Sequence, residues 1–519
     1  MSELTNKFTP PERVTSGIAG LDRIMQGGLL KGRTYLIMGI PGAGKTILSN
    51  QICFHHVASG GQALYFTLLA ETSSRMLADI QTFDFFDPEA INNTVSYVSA
   101  YPILEKDGLE GLINLIRSEI RRHRAQLIVI DGLVIARQAA EKDVGWKKFL
   151  HALQASAELL KCTTLLLTPT DNLHTSQDEQ TMSEGIIELT TRLVDMRSVH
   201  EIQIHKFRGS AFLEGKHHYS INNTGFVIHP RLEAIQALPT SELPQDLTHP
   251  VQPARLKLGI PQLDEMLHGG ITSGSTTLLL GAPGTGKTLL GSHFLLEGAA
   301  QDEKGLYYSF FETPTQLVRK LDRLNMNPGN YINDGKLELF WQSPIQDSLD
   351  ILAEHLLEII RRSGAKRVFI DGLAGFQRST ASPERLDLFM TAFITTLRSF
   401  NITTFLSVEL PDIFSPNVEL PAAISGTGTH VENVLLLRYV ELRSQLYRLI
   451  SIMKMRESGY DPSIREFRIS SNGVEVASTF SSAEAILTGI ARLRNEMQSM
   501  NDDTLSNNET TSGPLKRHA

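Results

Sequence analysis

Two kinds of apolar pattern alternate along the chain. Short runs are apolar at nearly every position: YLIM at 35–38, LIVID ending at Asp131, TTLLL at 276–280 and RVFID ending at Asp371. Between them lie segments with helical spacing, Leu112, Ile116 and Ile120 in GLINLIRSEIRRHRA, and Leu349, Leu352, Leu356 and Ile359 in the second half. A strand apolar on both sides has to be covered on both faces, and a helix with one apolar stripe is suited to cover it. The pattern predicts an α/β fold built on mostly parallel, twisted sheets flanked by helices.

The whole pattern occurs twice. GIAGLDRIMQGG begins at Gly17 and GIPQLDEMLHGG at Gly259, 242 residues later; GIPGAGKT and GAPGTGKT, from Gly39 and Gly281, keep the same separation. Each half is long enough to bury a core of its own. The expected organisation is a first domain over 1–236, a proline-containing linker over 237–252, a second domain over 253–498, and a polar, turn-rich tail over 499–519 that reads as disordered.

The two glycine-rich octapeptides carry the chemistry. Gly39, Gly42, Ala43, Gly44, Lys45 and Thr46 in the first half, and Gly281, Gly284, Thr285, Gly286, Lys287 and Thr288 in the second, fit the phosphate-loop pattern of P-loop NTPases. Its glycines let the backbone curl so that successive N–H groups point at a phosphate chain. The lysine reaches the β- and γ-phosphates, and the threonine hydroxyl suits the magnesium of a bound ATP. In each half a strand precedes the loop and a helical segment follows it, which puts phosphate at a helix N-terminus.

Other polar residues recur in matching places. Asp131 and Asp371 end their strands about 85 residues after the loop and suit a second magnesium ligand. Glu71 and Glu312 follow the intervening strands LYFT and LYYS; each either orients or deprotonates the attacking water, or is an exposed acid at the start of a helix. Lys206 and Arg208 in HKFRGS, and Lys454 and Arg456 in MKMRES, alternate late in each half. Such a pair is either a solvated strand face or a cationic contact to a neighbouring subunit's nucleotide, in the manner of an arginine finger.

Composition narrows the class. With 41% hydrophobic and 20% charged residues and a net charge of −8, the 519-residue chain reads as a globular protein without a broad nucleic-acid surface. Cys53 and Cys162 are too few and too distant for a disulfide framework or a metal site. The polar start MSELTNKFTPPERV does not resemble a signal peptide and no apolar run reaches membrane-spanning length, so the expected compartment is the cytoplasm.

From residue 12 to about 490 the sequence resembles the KaiC family of two-domain RecA-like ATPases and autokinases. The resemblance rests on the doubled GIxxLDxxxxGG phrases, the two phosphate loops, KFRGS and KMRES, and most specifically on LLLRYVELRSQLYRLISIMKMRESGYDPSIREFRIS at 435–470. It implies tandem RecA-like P-loop domains, ATP and Mg²⁺ as ligands, a double-ring homohexamer with ATP between subunits, ATPase activity in the first domain and serine/threonine autophosphorylation in the second. It also implies that Lys206, Arg208, Lys454 and Arg456, joined by Arg448, contact ATP across the subunit interface. Where the family carries paired glutamates, this chain has Ala70-Glu71 and Phe311-Glu312; where it carries an adjacent Ser-Thr phosphosite, this chain has Gly428-Thr429, leaving Thr429 as the acceptor. The tail shows no match to the family's partner-binding tail, so a KaiA-like activator is not expected, while a KaiB-like partner stays open. Two other functions compete: a recombination-type ATPase binding single-stranded DNA, and a scaffold cemented by nucleotide without turnover.

Overall fold

A computed structural model describes residues 11–68, 73–140, 143–170, 177–194, 196–236, 254–344, 348–410, 430–442, 444–471, 473–477, 484–485 and 491–492. Glu71, Thr429, the expected linker 237–252 and the expected tail 499–519 lie outside the described residues. The chain divides into two compact units, Met1–Leu238 and Pro239–Ala519.

The first unit is built on a nine-stranded sheet. Its strands are β1 (Thr34–Gly39), β2 (Ala63–Thr67), β3 (Val95–Ser99), β4 (Leu127–Asp131), β5 (Thr163–Thr168), β6 (Gly185–Val194), β7 (Arg197–Phe207), β8 (Lys216–Asn222) and β9 (Gly225–His229). The spatial order is β9-β8-β7-β6-β1-β5-β4-β2-β3. From β3 to β6 every pairing is parallel, and from β6 to β9 every pairing is antiparallel.

Neighbouring residues of β1 enter different cores. Tyr35 and Ile37 pack with Leu48, Ile52 and Phe54 of helix α1 (Lys45–Ala58). Leu36 and Met38 pack on the other face with Leu112, Ile116 and Ile120 of α2 (Tyr101–His123) and with Trp146, Phe149 and Leu153 of α3 (Asp143–Leu159). Successive side chains of a strand point to opposite faces, so burial of both faces leaves no solvent-facing position in it. Helix α2 begins earlier than the apolar spacing predicts, at Tyr101. Gly108, at φ 63°, interrupts it before the Leu112–Ile116–Ile120 stripe begins.

The second unit repeats this plan with β10 (Thr276–Gly281), β11 (Gly305–Ser309), β12 (Leu337–Trp341), β13 (Arg367–Asp371), β14 (Thr403–Glu409), β15 (Asn433–Leu442), β16 (Gln445–Met455), β17 (Arg465–Ser470) and β18 (Gly473–Val476). The order β18-β17-β16-β15-β10-β14-β13-β11-β12 matches the first sheet strand for strand. Helix α4 (Lys287–Ala300) follows β10 and lays Leu290 and Phe294 against Leu279 and Phe369. Helix α5 (Leu349–Ser363) starts where Ser348 accepts the Ile351 N–H and stops at Gly364 in the left-handed region, φ 68°. Its Leu349, Leu352, Leu356 and Ile359 are all buried. Both units have the RecA-like architecture, a mostly parallel sheet between helices.

Candidate nucleotide sites

Each unit brings its loop to the carboxyl end of the central strand, one strand removed from the strand that ends in aspartate. α1 and α4 begin at the loop lysines, with Gly44 (φ 90°) and Gly286 (φ 107°) as their N-caps in the left-handed region. A Cβ at Gly286 would stand 2.6 Å from the Phe467 ring, so both φ and space require glycine there. The loop backbone is thereby free to turn its N–H groups toward an anion at the helix start, a cradle that suits phosphate.

The lysines are already in position. Lys45 donates to the carbonyls of Gly39 (2.5 Å) and Ile40 (3.0 Å), and Lys287 to those of Gly281 (2.7 Å) and Ala282 (2.9 Å). Burial lowers the pKa of both ammonium groups. The charge of Asp131 opposes this for Lys45, and that of Glu409, then of Asp371, for Lys287. A cation held against carbonyl dipoles in a partly buried loop is suited to receive phosphate charge.

The threonine and aspartate of each site meet as the repeat predicts, but not equally. Thr288 donates to Asp371 Oδ2 at 2.8 Å, whereas Thr46 stands 3.5 Å from Asp131 Oδ2, at the limit of a hydrogen bond. Tyr65 and Tyr307 each donate to their aspartate at 2.8 Å. Burial raises both phenols well above their ordinary range, so they remain donors. Asp371 has a further donor, Ser407, at 2.6 Å. Leu167 holds the corresponding place in the first unit, as the ladders on β1 and β10 show. Burial raises the Asp131 pKa, and the Tyr65 hydrogen bond and the Lys45 charge offset part of that rise. An oxygen pair from threonine and aspartate, half-buried and oriented by a tyrosine, fits a magnesium ion.

Sequence reading passed over Tyr65, Tyr307 and Ser407. The tyrosines were detectable, since they are themselves 242 residues apart in LYFT and LYYS. Ser407 has no counterpart in the first half and only the fold reveals it.

Of the two expected glutamates, Glu312 is described. It follows β11, directly before the helix Pro314–Asp322 that Thr313 and Gln316 cap, and its carboxylate is paired with Lys320 of that helix at 2.7 Å. Phe311 is exposed, with the Arg378 guanidinium 5.1 Å above its ring centroid.

The basic pairs lie away from their own loops. The Arg208 N–H donates to the Glu184 carbonyl and the Glu184 N–H to that of Thr34, which puts Arg208 level with the start of β1. Gly39 is five residues further, about 17 Å at ~3.4 Å per residue. Arg456, Glu432 and Thr276 repeat the relation in the second unit. Lys206 donates to the carbonyls of Gln180 (2.8 Å) and Thr181 (3.0 Å), and Lys454 to that of Val431 (2.8 Å). Burial, then the adjacent arginine, lowers the pKa of each lysine. Arg448 lies toward the other end of β16, where its Nε donates to the Gly284 carbonyl of its own loop at 3.3 Å and its guanidinium covers Tyr439. Within one chain, then, Arg448 and the Lys454–Arg456 pair are separated by the length of the strand. Cys53 and Cys162 are free and buried, and among the described residues no helix is long and apolar enough to cross a membrane.

Two RecA-like units, each with a phosphate loop backed by a threonine–aspartate pair, define a P-loop nucleotide-binding protein. The KaiC ATPase family model matches residues 14–233 and again 256–480, and the chain belongs to that family. It is 27% identical over 510 residues to the circadian clock oscillator protein KaiC of Rippkaea orientalis, covering 94% of both chains. It is likewise 27% identical to that of a Picosynechococcus strain, covering 92% of both, and 26% identical to KaiC 1 of a Synechocystis strain, covering 92% of this chain and 91% of the relative.

The strict fit at Gly286 makes a prediction. Gly286→Ala places a side chain in the left-handed region, at about 1–2 kcal/mol, and against Phe467. ATP binding to the second unit should weaken by roughly tenfold or more, as read by calorimetry on the full chain.

Proposed function

We propose that this chain is a ring-forming, KaiC-like cytoplasmic ATPase that hydrolyses magnesium-ATP mainly at its first site and phosphorylates itself at its second, in clock-like or stress signalling. The observation that carries the reading is the doubled set of loop lysine, loop threonine and strand-end aspartate. The clock-oscillator names of its relatives support the output.

In this reading Lys45 and Lys287 turn from the strand-end carbonyls to the β- and γ-phosphates. Thr46 with Asp131, and Thr288 with Asp371, hold the magnesium, which when bound neutralises charge on the phosphates. Tyr65 and Tyr307 keep each aspartate oriented. Glu71 and Glu312 are assigned to orienting and polarising the attacking water or hydroxyl, the latter once it leaves Lys320. Lys206 and Arg208, with Lys454 and Arg456, lie too far from their own loops to serve them, so we assign them to the nucleotide of an adjacent copy in a hexameric double ring. A KaiB-like protein is a further partner. The single-stranded DNA reading has no support in the family match or in the net charge of −8.

Three outcomes test the reading. Lys45→Ala removes the cation of the first site, and ADP release by the full chain should fall by more than half; turnover at the wild-type level would refute the division of labour. Magnesium-ATP should shift the chain from small species to a ring in light scattering, through linkage of nucleotide binding to assembly. Arg208→Ala and Arg456→Ala should weaken that shift, and a monomer with and without nucleotide would exclude contacts in trans. Phosphopeptide mapping after hours with ATP should find one modified site, Thr429, at a rate below that of hydrolysis and lost in Thr429→Ala. No phosphate anywhere in 424–434 would leave an ATPase without the kinase.

A further inference from the structure

The second site has a carboxylate that the first lacks. β14 runs between β10, which carries the loop, and β13, which carries Asp371. Its last residue, Glu409, is the register partner of Gly281, the first residue of the loop. The Gly281 carbonyl there accepts both the Leu410 N–H (3.1 Å) and the Lys287 ammonium (2.7 Å). Ligands of open parallel sheets lie outside the carboxyl ends of the strands, which is where Glu409 stands.

Direction along the strand sharpens the placement. Ser407 turns its hydroxyl to Asp371 Oδ1 at 2.6 Å. Side chains two apart share a face, so Glu409 projects on the Asp371 side, about 7 Å further out along the strand. It is exposed, and among the described residues its carboxylate has no hydrogen-bond or ion-pair partner. Its charge acts on Lys287 more strongly than that of Asp371 does. The other carboxylates of the site are engaged. Asp371 takes the hydroxyls of Thr288, Tyr307 and Ser407, and Glu312 is paired with Lys320. In the first unit the Thr170 N–H reaches the Gly39 carbonyl as Leu410 reaches Gly281, so the residue in the place of Glu409 is Pro169, which has no carboxylate.

We propose that Glu409 is the general base of the second nucleotide site. This rests on reading that site as one that binds and turns over ATP. Glu409 takes the proton from the attacking water or Ser/Thr hydroxyl as its oxygen bonds to the γ-phosphorus. The bond from that phosphorus to the β–γ bridging oxygen breaks, and its electron pair leaves with ADP. The exposed carboxyl then passes the proton to solvent. Among the described residues, the charged groups facing this strand end are Lys287 of α4 and Asp371 of β13.

The test uses the full chain carrying Lys45→Ala, which silences the first site, and follows both ADP release and the affinity for a fluorescent ATP analogue. Adding Glu409→Gln should lower the remaining turnover by about 10²–10⁴-fold. The analogue should bind as tightly or more tightly, because a negative charge facing the phosphates is gone. Glu409→Asp should restore part of the rate. Unchanged turnover with Glu409→Gln overturns the proposal while leaving the second site an ATPase, and a collapse of turnover with Glu312→Gln would then identify the base. Loss of analogue binding together with turnover would make Glu409 structural and overturn it as well. An inactive Lys45→Ala parent would refute turnover at the second site, and Glu409 with it.

Discussion

The central strand of each unit is buried on both faces, and that constraint organises everything around it. Tyr35 and Ile37 face one core, Leu36 and Met38 the other, and no side chain between Thr34 and Gly39 is available for chemistry. Polar function is pushed to the carboxyl ends of the strands, where the chain leaves the sheet and its backbone groups need partners. The loop lysine meets that need by donating to the carbonyls of the last strand residue and the one after it. One contact thus satisfies the strand end and stores a cation inside the glycine-rich loop.

The same frame carries two differently furnished sites. Around Asp371 three hydroxyls converge, and Thr288 is within firm hydrogen-bond distance; around Asp131 the threonine stands off and Leu167 replaces the serine. Near the loop, Tyr439 and Arg448 take the places held by Thr191 and His200 in the first unit, where Thr191 and His200 bond to each other at 3.0 Å. The first loop is instead steadied by Tyr219, which donates to the Ala43 carbonyl at 2.8 Å and stacks on Phe226. Duplication preserved the loop lysine, the loop threonine and the strand-end aspartate, while the residues that surround them diverged. This is the arrangement expected if the two sites perform different steps on the same nucleotide.

Much of this was legible along the chain. Continuous apolar strands and striped helices gave the class of fold, because burial of a strand on two faces leaves a signature that needs no partner to read. The constant spacing of 242 residues gave the duplication, and the loops gave the chemistry, since Gly42, Gly44, Gly284 and Gly286 answer to local backbone geometry, all at φ between 77° and 107°. Local rules act over a few residues and can be read there. Helix α2 shows where they weaken: its apolar stripe was visible from Leu112 onward, but the turn before Gly108 is helical without it.

What the sequence by itself determined, then, was the nature of each group: two phosphate cradles, two aspartates at strand ends, two basic pairs and one long stretch shared with the KaiC family. The tertiary structure decided which groups meet. Strand order sets β14 between β10 and β13, and so brings Ser407 to Asp371 across 36 residues of chain and Glu409 level with Gly281 across more than a hundred. It turns Arg448 to its own loop while carrying Arg456 to the far end of the sheet. No spacing in the sequence reports these distances, because register between strands is fixed by side chains packing on both faces of the sheet at once, and that packing exists only when the whole unit is folded.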